Sequence, residues 1–351
     1  MEIGTTPIRV LIAEDSLVAR ELLVSVLQNA PGLQVIGTAC NGAEAVRLAK
    51  RLKPDVIAMD VYMPEMDGLE ATRRIMAEIP LPIVMVSASF NKNEQQLTFD
   101  ALRAGALSIL EKPTIYDPPE AHNFLVDQLR LMSEVKVVRH WGKSRQYSSQ
   151  PQPIVKSPAL SRNGESKIQL MAVASSTGGP GVLAKILCGL PVDFPIPILI
   201  VQHIMAGFAE GLATWLNQLT PLQVRLAQHR DEPKAGQVLI APDNHHLVIN
   251  NQGLISLNQE PPQNGLRPSA NYLFNSVAEV YGGTAIGVIL TGMGDDGADG
   301  LLALRETGAH TIAQDKASCV VFGMPAVAIE LNAAEQVLPA DKIAAALMAL
   351  V

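Results

Sequence analysis

Short apolar runs alternate with stretches of helical period in two separate blocks of this chain. In the first block, RVLIA is followed by a helix over about Leu17–Gln28, then QVIGTA, a helix through Ala43–Leu52, and DVIAMD. A helix near Leu69–Glu78, the run PIVMVSA, a helix ending at Gly105, ALSILEKP and a last helix after Pro119 complete it. Runs of this kind between single amphipathic helices read as five βα units. Strands joined by one helix each must lie parallel with right-handed crossovers, and the ligands of such a doubly wound sheet gather at the carboxyl ends of its strands.

Periodicity is lost between Ser144 and Asn163, where 11 of the 20 residues are Ser, Gln or Pro, the composition of a solvated, flexible linker. From Lys167 the alternation restarts with IQLMAVA and continues through PILIVQH, QVLIAP, AIGVILTG and HTIAQ. The pattern predicts an α/β domain over 1–130, a linker over 131–166 and a second doubly wound parallel-sheet domain over 167–351. At 351 residues the chain exceeds the usual size of one core, and each domain is long enough to bury its own. Hydrophobic residues at 48% with aromatics at only 4% suit Val/Ile/Leu-rich parallel strands under Ala-rich helices.

The net charge of −7 is unevenly divided. Residues 1–130 carry 12 Lys/Arg against 17 Asp/Glu, residues 131–166 carry 6 against 2, and residues 167–351 carry 9 against 15. Two acidic domains on a basic connector lack the clustered cationic face that a phosphate backbone requires, which argues against a nucleic acid as partner. Cys40, Cys188 and Cys319 show no metal-ligand spacing and read as reduced thiols in a reducing compartment. No run approaches the ~20 apolar residues of a membrane span, and the start MEIGTTPIRV lacks the charged and apolar regions of a leader. A cytoplasmic protein with no direct membrane insertion is expected.

Chemistry-bearing residues fall at strand ends. Glu14 and Asp15 follow the first strand, Asp60 the third and Ser87 the fourth, while Lys112 closes the fifth. Three converging carboxylates raise one another's pKa unless a cation joins them, and Mg²⁺ is the hard, oxygen-seeking ion that suits the set. A carboxylate so placed attacks phosphorus in line while the metal neutralises charge, which makes Asp60 a candidate phosphoacceptor. Lys112 would pair with the phosphoryl group, and Ser87 would donate to it only when it is present, biasing two states of the domain.

The segments AEDS, MDVYMPEMDG, VSA and EKP, in this order, resemble the response-regulator receiver family across the first block. The resemblance implies a flavodoxin-like fold, phosphorylation at Asp60 with a histidine kinase as phosphodonor, and Mg²⁺ held by Glu14, Asp15, Asp60 and the backbone carbonyl of Tyr62. It also implies a cis peptide at Lys112–Pro113. Ile109 stands where many receivers carry Tyr or Phe, so signal transfer is expected to use Ser87, the neighbouring loop and the last helix instead of a ring flip.

In the second block, IQLMAVA runs into Ser175-Ser176-Thr177-Gly178-Gly179-Pro180-Gly181 and then a helix. A hydroxyl at a helix N-terminus has backbone N–H groups aimed at a developing oxyanion and needs only a base. The same glycine-rich turn also suits a phosphate cradle. Two later strand ends deliver His203 and the loop Gly292–Gly297 with Asp295 and Asp296. Ser, His and Asp from three parallel-strand ends favour acyl transfer, and no Lys or Arg lies between Lys167 and Lys185 to serve a cradle. The order Ser–His–Asp and the missing G-x-S-x-G elbow set this block apart from the α/β-hydrolases.

SSTGGP, VQHI, APDNHHL, RPSAN, GVILTGMGDDGADG and CVVFGMP resemble the catalytic domain of the chemotaxis protein-glutamate methylesterases, the CheB family. The resemblance implies a Rossmann-like domain in which Ser176 is the nucleophile, His203 the base and Asp296 the residue that orients the imidazole. Backbone N–H groups near Thr177 and Met293 would be the oxyanion donors. It further implies methyl-accepting chemoreceptors as substrate, methanol as product, glutamine deamidation at the same site, an open cleft beside Ser176, and no cofactor for ester hydrolysis. Ser175 is the rival nucleophile, and Asn271 stands where the family pattern has Asp.

Overall fold

The computed structural model describes residues 6–87, 92–135, 137 and 168–351. The linker expected between Ser144 and Asn163, and the loop following Ser87, lie outside the described residues.

The first domain comprises β1 (Ile8–Ala13), α1 (Leu17–Gln28), β2 (Leu33–Ala39), α2 (Gly42–Leu52), β3 (Val56–Asp60), α3 (Gly68–Glu78), β4 (Ile83–Ser87), α4 (Lys92–Ala104), β5 (Ser108–Glu111) and α5 (Pro119–Ser133). Its parallel sheet has the order β2-β1-β3-β4-β5. β3 and β4 are buried along their whole length, as central strands covered on both faces must be. Ser16, Asn41 and Asp67 accept backbone N–H bonds from Ala19, Glu44 and Glu70, capping α1, α2 and α3 where each leaves its strand-end loop. The Lys112–Pro113 bond is trans, and among the described residues the cis X-Pro bond is Arg267–Pro268. With the trans bond the Lys112 ammonium already reaches both Glu14 and Asp60, so the expected cis geometry is not needed to deliver it.

The second domain begins with β6 (Leu170–Ser175), α6 (Gly179–Cys188), β7 (Ile198–Gln202), α7 (Ala209–Leu219), β8 (Gln223–Leu226), β9 (Gln237–Ile240), β10 (His246–Ile249) and β11 (Ile255–Asn258). It continues through α8 (Ala270–Tyr281), β12 (Ala285–Ile289), α9 (Ala298–Glu306), β13 (His310–Gln314), α10 (Met324–Glu330), β14 (Gln336–Leu338) and α11 (Ala340–Leu350). Seven parallel strands run in the order β14-β13-β12-β6-β7-β9-β8, with β10 and β11 as a separate antiparallel pair. The sequence pattern does not announce β8, β10, β11 and β14. They are three or four residues long and carry polar positions, too short for a period to emerge.

The chain leaves β6 toward β7 on one side and returns on the other through β12. β6 is therefore the point where the winding reverses, and the crevice beyond its carboxyl end is where this architecture places ligands. The two domains also pack against each other. Phe99 of α4, fully buried, enters the core of the second domain, its ring centroid 5.5 Å from that of Trp215 and 6.3 Å from that of Phe208. Ile109 on β5 packs against the same cluster, and Val321 of the second domain joins a core cluster of the first.

Candidate functional site

At the carboxyl end of the first sheet, Glu14, Asp15 and Asp60 each offer a carboxylate oxygen within 4.8 Å of the others. Lys112 Nζ lies 2.8 Å from Glu14 Oε2 and 3.0 Å from Asp60 Oδ2. Burial, with Glu14 adding to it, pushes the Asp60 carboxyl up to about 7 against the opposing pull of Lys112. Burial works against the Lys112 ammonium too, yet Asp60 and Glu14 hold it above its ordinary value. Ser87 is buried at the end of β4, and Tyr62 is exposed in the loop after β3. The donor set is all hard oxygen and carries surplus negative charge, which fits a small divalent cation.

The second cluster is built at the reversal point. Ser176 follows β6, and its backbone N–H donates to Thr291 O beyond β12 at 3.0 Å. Gly178 closes the turn into α6 with φ of +78°, a left-handed value that favours glycine. A Cβ on Gly292 would sit 2.6 Å from that of Ser176, so only glycine lets this loop come so near the serine. Gln202, at the end of β7, donates through Nε2 to the carbonyls of Ser176 and His203, each at 2.8 Å. Its Oε1 accepts the Ser175 hydroxyl at 2.6 Å. One carboxamide thus staples the two strand ends that carry the hydroxyl and the imidazole.

Asp296, the second acid of Gly294-Asp295-Asp296-Gly297, is buried and receives His203 Nε2 at 2.8 Å on Oδ2. The Ser269 hydroxyl donates to its Oδ1 at 2.6 Å and the Ala270 N–H to its Oδ2 at 2.6 Å. The Ala270 N–H belongs to the first turn of α8, whose positive dipole end favours an anion. Burial raises this carboxyl, but the bonds from His203, Ser269 and Ala270 outweigh it and hold it below the ordinary carboxylate range. Asn271 Oδ1 accepts the N–H groups of Gly297 at 3.1 Å and Gly300 at 2.8 Å, fixing the loop that bears Asp296 to α8. Two accepted N–H bonds need only an amide oxygen, which accounts for Asn in place of Asp.

Ser176, Thr177, His203 and Met293 line a cavity of about 490 Å³, and Ile109, Phe124 and Gln128 of the first domain form part of its wall. The cleft beside Ser176 thus has part of its wall supplied by the first domain. Ser175 is fully buried and spent on Gln202. Among the described residues, no hydrogen bond takes the backbone N–H of Thr177 or Met293. The chain-wide pattern of strand ends located Ser176, His203 and Asp296. It missed Gln202, Ser269 and Gln128, polar residues whose partners lie far away in sequence and whose own surroundings carry no signature.

A receiver-type acidic cluster on one parallel sheet and a Ser, His and Asp cleft on another define a response regulator with a hydrolase output. Comparison with known proteins narrows this class. The model of the family described as CheB methylesterase matches residues 171–347, and that of the response regulator receiver domain matches residues 10–122. The chain is 47% identical over 345 residues to a protein-glutamate methylesterase/protein-glutamine glutaminase of Syntrophus aciditrophicus, covering 98% of each chain. A similarly named protein of Myxococcus xanthus is 45% identical, with 97% of this chain and 96% of that one covered. The crystal structure of the Thermotoga maritima CheB methylesterase catalytic domain matches with a TM-score of 0.51 at 41% identity, over 53% of this chain and all of that one. The chain belongs to the CheB methylesterase family.

Proposed function

We propose that this chain is a phosphorylation-activated protein-glutamate methylesterase that hydrolyses glutamate methyl esters on chemoreceptors, releases methanol, and deamidates receptor glutamines in chemotactic adaptation. The observation that carries the reading is the contrast between the two serines: Ser175 is buried and bonded, while Ser176 opens on the cavity that also holds His203. In this mechanism Ser176 Oγ attacks the ester carbonyl and His203 takes its proton. Nε2 of the imidazole is committed to Asp296, so Nδ1 is the nitrogen that serves as base. The N–H groups of Thr177 and Met293 stabilise the oxyanion. The proton then passes to the departing methanol, and a water activated by the same nitrogen hydrolyses the acyl-enzyme.

Asp60 is the phosphoacceptor in this reading, supplied by a histidine kinase. Glu14, Asp15, Asp60 and the Tyr62 carbonyl would hold Mg²⁺, which when bound neutralises charge on the transferred phosphoryl group. Lys112 and Ser87 would contact that group. The division at 130 and 166 separates regulator from enzyme, and the chain acts in the cytoplasm on the cytoplasmic parts of its receptors. Among the described residues no helix is long and apolar enough to cross a membrane. The test is methanol release from methylated receptor membranes. Ser176→Ala should abolish it, and release that survives this substitution but not Ser175→Ala would reverse the assignment.

A further inference from the structure

Gln128, on α5 of the receiver, is 1% exposed and reaches across the domain boundary into the serine cleft. Its Oε1 accepts the Thr177 hydroxyl at 3.4 Å, and its Nε2 lies 3.3 Å from Met293 Sδ. A carboxamide carries two donors and two acceptor lone pairs, and these two contacts, one long and one to a soft thioether, leave it poorly satisfied. Packing alone would favour an apolar side chain here, since an under-bonded buried amide is costly. What surrounds the amide is the site itself. Thr177 and Met293, whose backbone N–H groups serve the oxyanion in the mechanism above, line the cavity together with Ser176 and His203.

Resting on the esterase and glutaminase reading above, we propose that Gln128 is an internal glutaminyl ligand of this site: a pseudosubstrate side chain, presented from a helix, that the unphosphorylated receiver holds in the cleft. The receiver then closes the site by chemical mimicry of a primary carboxamide as well as by bulk. The amide oxygen rests on the Thr177 hydroxyl and the amide nitrogen on a sulfur, a seating that holds the group without the backbone oxyanion donors and leaves it unreacted. Weak seating also makes it displaceable, as a switch requires.

The test uses the full-length chain without phosphodonor and follows the rate at which a fluorophosphonate labels Ser176. Gln128→Met keeps the length and bulk of the side chain and removes the amide. Mimicry predicts that Gln128→Met labels about tenfold faster than wild type, and that adding Ser176→Ala abolishes the label. Gln128→Glu, a buried anion in place of the amide, should label at least as fast. If Gln128→Met labels at the wild-type rate while Gln128→Ala is faster, the side chain is only a plug and the proposal is overturned. Wild-type rates in all three variants overturn it as well. Label that survives Ser176→Ala in the otherwise wild-type chain would overturn the esterase reading beneath it, a failure separable from the other two. Melting temperatures close to wild type show that each variant is folded.

Discussion

Asp296 receives hydrogen bonds from an imidazole, a hydroxyl and a helix N-terminus, and its depressed pKa links the site to the stability of the domain around it. A carboxyl held low contributes stability that is fully present above the ordinary Asp value of about 3.9 and lost as the pH falls through its depressed value. Thermal melts should therefore show wild type well above Asp296→Asn at pH 7, with the gap closing as the pH drops below about 4. In the proposed mechanism Ser269 acts only through its bond to Asp296. Removing its hydroxyl takes away a bond to a charge, worth ~1.5–3 kcal/mol, so Ser269→Ala should lower kcat about tenfold or more. At Ser176 the loss on Ala substitution should be on the order of 10⁴-fold. Ser175→Ala should cost little beyond its bond to Gln202, which separate methanol-release assays will show.

At the scale of elements, β1, β3, β4 and β5 end at or beside Glu14, Asp60, Ser87 and Lys112, because parallel winding brings every carboxyl end to one edge. This geometry was legible in the sequence: RVLIA, DVIAMD and PIVMVSA are period-free apolar runs that only a buried parallel strand explains. Glu14, Asp60, Ser87 and Lys112 were found by position on those runs. Gln202 and Ser269 were not, since their roles depend on β7 and α8 closing against the ends of β6 and β12, a tertiary fact with no local pattern. The wall that the first domain adds to the cleft was also illegible, because it exists only where one domain meets the other. The carboxylate cluster yields a prediction of its own. Mg²⁺ held by this cluster would relieve repulsion between Asp60 and Glu14, so millimolar Mg²⁺ should raise the melting temperature of wild type. Asp60→Asn should lose most of that shift, and calorimetry with and without chelator checks it.

Across the whole molecule, the receiver covers the serine cleft with α4, β5 and α5, and the largest single anchor is Phe99 between Phe208 and Trp215. Ile109 packs into that same cluster, so the position where many receivers carry a rotating ring is here a fixed apolar contact with the enzyme. Truncating a fully buried Phe costs ~3–5 kcal/mol, and most of that loss should fall on the closed arrangement. Phe99→Ala is therefore expected to raise basal methanol release at least tenfold, and deletion of residues 1–140 to raise it further. Methanol release by the full-length chain with and without acetyl phosphate and Mg²⁺ tests whether Asp60 governs the Ser176 site. Wild type should show a severalfold rise and Asp60→Asn none. Equal rates with and without phosphodonor in wild type, or an undiminished rise in Asp60→Asn, would contradict it.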